Sequence, residues 1–84
     1  MNQQTLRIRC FARLRELVGA EYAEVAVAGE CRVRELRGHL AAAYPALAEE
    51  RLTLLVARNG NYAGDEEVVT AEDDLACFPP VSGG

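Results

Sequence analysis

Apolar and polar positions alternate over residues 5–11, with Leu6, Ile8 and Cys10 on one parity and Arg7, Arg9 and Phe11 on the other. A period of two with one apolar parity predicts a half-buried β-strand. Residues 12–18 read as a short helical connection closed by Gly19, and alternation resumes over 22–27, where Tyr22 and Glu24 are out of phase with Val25 and Val27. These two runs predict an antiparallel pair joined by a connection longer than a tight turn. The period then changes. Val33, Leu36, Leu40, Ala43 and Leu47 fall at helical spacing, predicting a helix over about 33–44 with one apolar stripe, stopped by Pro45. Its start is poorly marked, because Cys31 and Arg32 stand where a Ser, Thr or Asp cap is expected. Gly38 inside it costs about 1 kcal/mol relative to Ala.

Residues 52–57 are nearly all apolar and predict a third strand, followed by Asn59-Gly60, a strong hairpin signal because both residues tolerate positive φ. Tyr62 belongs to the returning strand, Asp65-Glu66-Glu67 to a polar loop, and Val68-Val69 re-enter the core. Residues 75–78 form a last strand, stopped by Pro79-Pro80. The order strand, strand, helix, strand, short strand, strand predicts an α+β fold of the ubiquitin-like β-grasp type. In it a mixed sheet of four to five strands packs on one main helix. Residues 1–78 make the domain and 79–84 an extended, flexible tail.

Composition narrows the functional classes. With 84 residues, half of them hydrophobic, the chain makes one domain with one core. A deep, enclosed cleft is hard to build at this size, which favours a carrier, adaptor or subunit over a complete enzyme. The net charge of −4 argues against nucleic acid and anionic membrane partners. All nine basic residues are Arg and none is Lys, so no Lys of this chain can accept a ubiquitin-like tail. Cys10, Cys31 and Cys77 form no CxxC pair and His39 is the single His, which argues against a metal site. Free cysteines without a signal peptide or a long apolar run point to the cytoplasm.

The last six residues, Pro79-Pro80-Val81-Ser82-Gly83-Gly84, carry the chemistry. Two prolines hold the chain extended, small residues follow, and six extended residues reach roughly 20 Å. Glycines without side chains thread a narrow channel and adopt whatever φ a partner's site imposes. The terminal carboxylate, with an ordinary pKa of about 3.3–3.7, is ionised at neutral pH and needs activation, as by an acyl adenylate, before it accepts a nucleophile.

Two segments together, "FARLREL" with "VG" after it at 11–19 and "FPPVSGG" at 78–84, resemble the small, sulfur-carrying subunit of molybdopterin synthase. The helix, the Asn59-Gly60 turn and the acidic lead-in to the last strand match in order, so the resemblance spans essentially the whole chain. It implies that an ATP-dependent, ubiquitin-activating-like enzyme adenylates Gly84 and that a sulfur donor converts it to a thiocarboxylate. The tail then enters the large subunit and gives sulfur to a cyclic pterin phosphate in molybdenum cofactor biosynthesis, within a heterotetramer. Gly84 is then the reactive residue and Gly83 serves passage. The chain itself binds no cofactor, and the large subunit supplies the acids and bases. The chain departs from the family pattern at Glu72, where Gly is usual, and at Arg32, where Thr is usual. A positive φ at Glu72 would strain the turn.

A partner face is expected on the helix-free side of the sheet, from Phe11, Phe78 and Tyr62, with Arg15 nearby and Pro79, Pro80, Val81 and Ser82 entering the partner. The alternatives are a sulfur carrier for thiamine or tRNA thiolation, a non-covalent ubiquitin-like binding module, and a protein modifier that forms isopeptide bonds. The acidic groups at 65–67 and 72–74 read as polar loops, His39 as an exposed helix residue, and Cys10 and Cys77 as core fillers.

Overall fold

A computed structural model of the protein describes residues 3–50 and 53–80. The first alternating run forms β1 (Gln3–Cys10) and the second forms β2 (Tyr22–Ala28), paired antiparallel with Leu6 opposite Val25 and Ile8 opposite Ala23. Between them lies α1 (Ala12–Val18), which ends on Gly19 in the left-handed region at φ 83°, with the Gly19 N–H donating to Arg15 O. Phe11 therefore falls just past the predicted strand, as the residue that opens α1. Ala12 takes φ 56°, a conformation unfavourable for a residue with a Cβ, to turn the chain off β1.

The main helix is α2 (Val33–Ala43), preceded by the short β3 (Cys31–Arg32) and followed by α3 (Pro45–Glu49). Val33, Leu36 and Leu40 are buried as predicted, whereas Ala43 is exposed and Leu47 belongs to α3. Pro45 ends one helix and also begins the next. Its missing N–H and fixed φ suit the first turn of a helix.

The poorly marked start of α2 is capped from elsewhere in the chain. The Val33 and Arg34 N–H groups donate to the Glu67 and Asp65 carbonyls at 3.0 and 3.1 Å, and Arg32 N–H donates to Glu35 Oε1 at 2.8 Å. An arginine side chain accepts no hydrogen bond, so Arg32 contributes only its backbone to this cap.

The remaining strands are β4 (Leu55–Arg58), β5 (Asn61–Tyr62), β6 (Val68–Val69) and β7 (Leu75–Phe78). The third strand begins at Leu55, later than predicted; Leu52 lies outside the described residues. Asn59 and Gly60 have φ of 53° and 87°, the two positive values a tight type I′ hairpin needs. The main sheet has the order β2-β1-β7-β4-β5, and β6 pairs with β3 in a separate two-stranded sheet. Val68-Val69 thus reach the core without joining the main sheet. The last strand lies at its centre, parallel to β1 and antiparallel to β4. One main helix over a mixed sheet with a parallel central pair is the β-grasp arrangement.

The acidic loops are tied down. Arg37 donates from Nε to Leu54 O at 2.7 Å and from Nη1 to Asp65 Oδ1 at 2.6 Å, while Arg34 meets Glu66 at 3.1 Å. Asn59 accepts from Asp74 N–H at 2.8 Å and donates to Asp73 Oδ1 at 3.0 Å. Glu72 is not among the positive-φ residues, so this turn carries no strain of the kind anticipated there.

Two stability outcomes follow. A Cβ at Gly38 would meet nothing within 4 Å. Gly38→Ala is therefore expected to raise stability by about 0.5–1 kcal/mol, read as a higher urea midpoint at unchanged m-value. The Asp73 carboxyl is raised by desolvation but more strongly lowered by the Thr70 N–H, the Asn59 amide and the Arg58 charge, leaving it below the ordinary 3.8. Its stabilisation is complete above the unfolded-state value and disappears as pH falls through the lower folded value. The stability gap between wild type and Asp73→Asn should thus narrow on acidification from neutral pH; a gap that widens would contradict this.

Candidate partner face and carboxyl-terminal exit

Alternation on a flat sheet places every second residue on the side away from α2. On β1 and β2 these include Arg7, Arg9, Tyr22 and Glu24, with Thr5 and Ala26 next along the strands; on β7, β4 and β5 they are Ala76, Phe78, Leu55, Ala57 and Tyr62. The face is divided. Its β1–β2 half is polar and internally satisfied: Arg7 stacks 3.9 Å over the Tyr22 ring and pairs with Glu24, and Arg9 donates to the Tyr22 hydroxyl at 2.7 Å. Its β7–β4–β5 half is apolar.

On that apolar half the Tyr62 and Phe78 rings meet, with centroids 5.7 Å apart and planes inclined at 58°. Tyr62 is 73% exposed and Phe78 is half-buried. Phe11, 44% exposed, keeps an extended backbone (φ −123°, ψ 155°) and donates its N–H to Cys77 O at 3.3 Å. That bond prolongs the parallel β1–β7 ladder and sets Phe11 abreast of Phe78. Neither Phe belongs to the buried core. The alternation of 54 and 56 against 55 and 57 was a usable signal for Leu55 and Ala57, which sequence reasoning left out of the face.

Arg15 is exposed on α1, with no carboxylate partner among the described residues, whereas Arg7, Arg9, Arg13, Arg32, Arg34, Arg37 and Arg58 each face one. Pro79 is half-buried and Pro80 exposed, directly after β7. Val81, Ser82, Gly83 and Gly84 lie outside the described residues. Since β7 is the central strand, the chain leaves the sheet from its middle, between the ends of β1 and β4 and beside the aromatic group.

Among the described residues the cysteines offer no competing nucleophile. Cys10, Cys31 and Cys77 are free and buried. Burial, with Cys10 alongside, pushes the Cys77 thiol up to about 12, and burial raises Cys10 and Cys31 as well. Such thiols hold little thiolate at neutral pH and are poor nucleophiles. Among the described residues no group of three or more His, Cys, Asp or Glu side chains is placed to hold a metal, and no helix is long and apolar enough to cross a membrane.

The ThiS family profile matches residues 8–84. The chain belongs to the ThiS family. Over 81 residues this ThiS-family chain is 42% identical to the molybdopterin synthase sulfur carrier subunit of Escherichia coli (strain K12), covering 94% of this chain and 99% of that one. It is 39% identical over 85 residues to small archaeal modifier protein 1 of Haloferax volcanii, covering 90% and 97%. The crystal structure of H. volcanii small archaeal modifier protein 1 superposes with a TM-score of 0.80 at 34% identity, covering 93% of this chain and 99% of that one. The ubiquitin-like fold read from the sequence is the fold of these relatives.

The burial of all three thiols predicts their reactivity. A native sample is expected to leave the three cysteines untouched by a chromogenic disulfide reagent over minutes, and to titrate all three once urea unfolds it. Rapid native modification of any one would overturn the assignment of these residues as core fillers.

Proposed function

We propose that the chain is the sulfur carrier subunit of molybdopterin synthase, with the carboxyl group of Gly84 as the atom group that is charged and discharged. One observation carries this reading: a family match that runs through residue 84, so that Gly83 and Gly84 fall within the matched segment. The 42% identity to the E. coli sulfur carrier subunit, over 99% of its length, supports the choice of pathway.

On this reading, a partner enzyme adenylates the Gly84 carboxylate with ATP, because the free carboxylate is too poor an electrophile to react unaided. Sulfur from a donor then replaces the AMP and leaves a terminal thiocarboxylate. Residues 79–84 act as the extended, flexible arm, whose side-chain-free end passes into the large subunit and delivers sulfur to a cyclic pterin phosphate. The sheet face with Phe78, Tyr62 and Phe11 docks on the large subunit, where burying aromatic rings supplies affinity. Arg15 offers a carboxylate on that partner a charged, directional donor. The sulfur-transferring activity belongs to the assembled heterotetramer, in the cytoplasm, and this chain contributes the moving substrate group rather than an acid or a base.

A second reading has a specific observation behind it, the 39% identity to a protein named as a small archaeal modifier. In that role the same activated carboxyl group would be transferred to amines of other proteins. The two readings differ in the acceptor and share the activation step.

Intact mass after incubation with an activating enzyme, ATP and sulfide tests the carrier reading. The expected result is a gain equal to one oxygen replaced by sulfur, localised to Gly84. Absence of that gain when the same enzyme charges the E. coli subunit would overturn it, and covalent adducts on other proteins in place of the sulfur gain would establish the modifier reading.

A further inference from the structure

An activated carboxyl group acylates whatever nucleophile reaches it, and the nearest nucleophiles are those of the protein that carries it. A flexible arm presents its own domain's surface at an effective concentration on the order of millimolar. The strong side-chain nucleophiles available to proteins near neutral pH are Lys amines and Cys thiolates; the α-amino group, with an ordinary pKa of about 7.7–8.0, is the one strong nucleophile besides them. This chain has no Lys, and all nine of its basic residues are Arg. A guanidinium does not lose its proton in proteins and does not attack an acyl group. The three thiols are enclosed in the core, each at most 3% exposed. Both strong side-chain nucleophile classes are therefore missing from the described surface, for two unrelated reasons.

The ion-pair geometry does not account for the exclusive use of Arg. Arg34 makes a single contact with Glu66, at 3.1 Å, which an ammonium group makes equally well. Arg15 has no carboxylate partner among the described residues and is exposed on α1. Arg37, with its fork shared between Leu54 O and Asp65, is a site where the guanidinium itself is required.

We infer that the side chains of this chain are inert toward its own activated carboxyl end, so that no side-chain-linked polymer of this chain forms and the acyl group is left for an external sulfur or amine acceptor. The inference rests on activation of Gly84 as proposed above. In the reaction that is avoided, an amine nitrogen would attack the Gly84 carbonyl carbon. The C–N bond would form, the bond to the leaving group would break, and the ammonium proton would pass to solvent.

The test bypasses the activating enzyme, so that its outcome is separable from that of the carrier reading. The full chain is prepared as a C-terminal thioester by thiol cleavage of an intein fusion and held at mildly alkaline pH, alongside Arg15→Lys and Arg34→Lys. Intact mass then distinguishes the hydrolysed acid from internal amides and covalent dimers. Peptide mapping separates products at the α-amino group from those on side chains: wild type is expected to yield the acid and no side-chain-linked product, while the Lys variants accumulate roughly tenfold or more Lys-linked self-conjugate, as tethered amines do. Two results would overturn the inference. One is side-chain-linked self-conjugation of wild type at the rate of the variants; the other is variants as inert as wild type, which would show that side-chain amine content is not what protects the acyl group. Unchanged urea midpoints for these exposed substitutions establish that folding is not the variable.

Discussion

The structure depends on where the last strand lies. Leu75–Phe78 occupies the middle of the sheet, hydrogen-bonded to β1 on one side and β4 on the other. Leu75 and Cys77 are buried in the core, and on the opposite side Ala76 and Phe78 join the apolar half of the exposed face. Removing this strand would split the sheet and open the core together. Two neighbours therefore hold the residues just before Pro79, and the point at which the chain leaves the domain is among its most constrained. A carrier needs such an arrangement, because an arm rooted in a frayed edge strand would blur the position of its own end.

The charged residues serve the same end by holding loops. The carboxylates at 65–67 face Arg32, Arg34, Arg37 and Arg58, and the backbone carbonyls of that loop close the N-terminus of α2. The turn before β7 is fastened to the Asn59-Gly60 hairpin through Asp73 and Asp74. Exposed pairs of this kind contribute at most about 1 kcal/mol each. Their effect lies in fixing where the loops sit, which leaves the aromatic half of the sheet face uncluttered.

Much of this was legible in residue pattern, and the failures have physical causes. Strict alternation in 5–10 and 22–27 identified both the strands and the buried parity, since a period of two has one way to place its apolar set. The Asn59-Gly60 turn was readable because its chemistry is local. Elements whose stability is not local were missed. The two-residue β3 exists only through pairing with Val68 and Val69, and the carbonyls that accept from Val33 and Arg34 at the start of α2 lie more than thirty residues away, leaving Glu35, which accepts from Arg32 N–H, as the one local sign of a cap. Leu47 keeps the helical spacing of α2 while belonging to α3, so periodicity alone could not show that Pro45 divides them. Ala43 shares that spacing yet faces solvent. On the exposed sheet face, Phe78 was readable from strand parity and Tyr62 from its place after the Asn59-Gly60 turn. Phe11 was assigned to the first strand and instead opens α1, because the residue pattern carries no sign of the turn at Ala12.

The account reduces to a rigid central strand that presents a chemically chargeable carboxyl end to a partner. Its most direct measurement is restoration of molybdenum-cofactor-dependent enzyme activity in cells lacking their own small subunit of molybdopterin synthase. The full chain should restore activity, and a chain ending at Gly83, matched in expression and unfolding midpoint, should not. Equal restoration by the shortened chain would contradict the account.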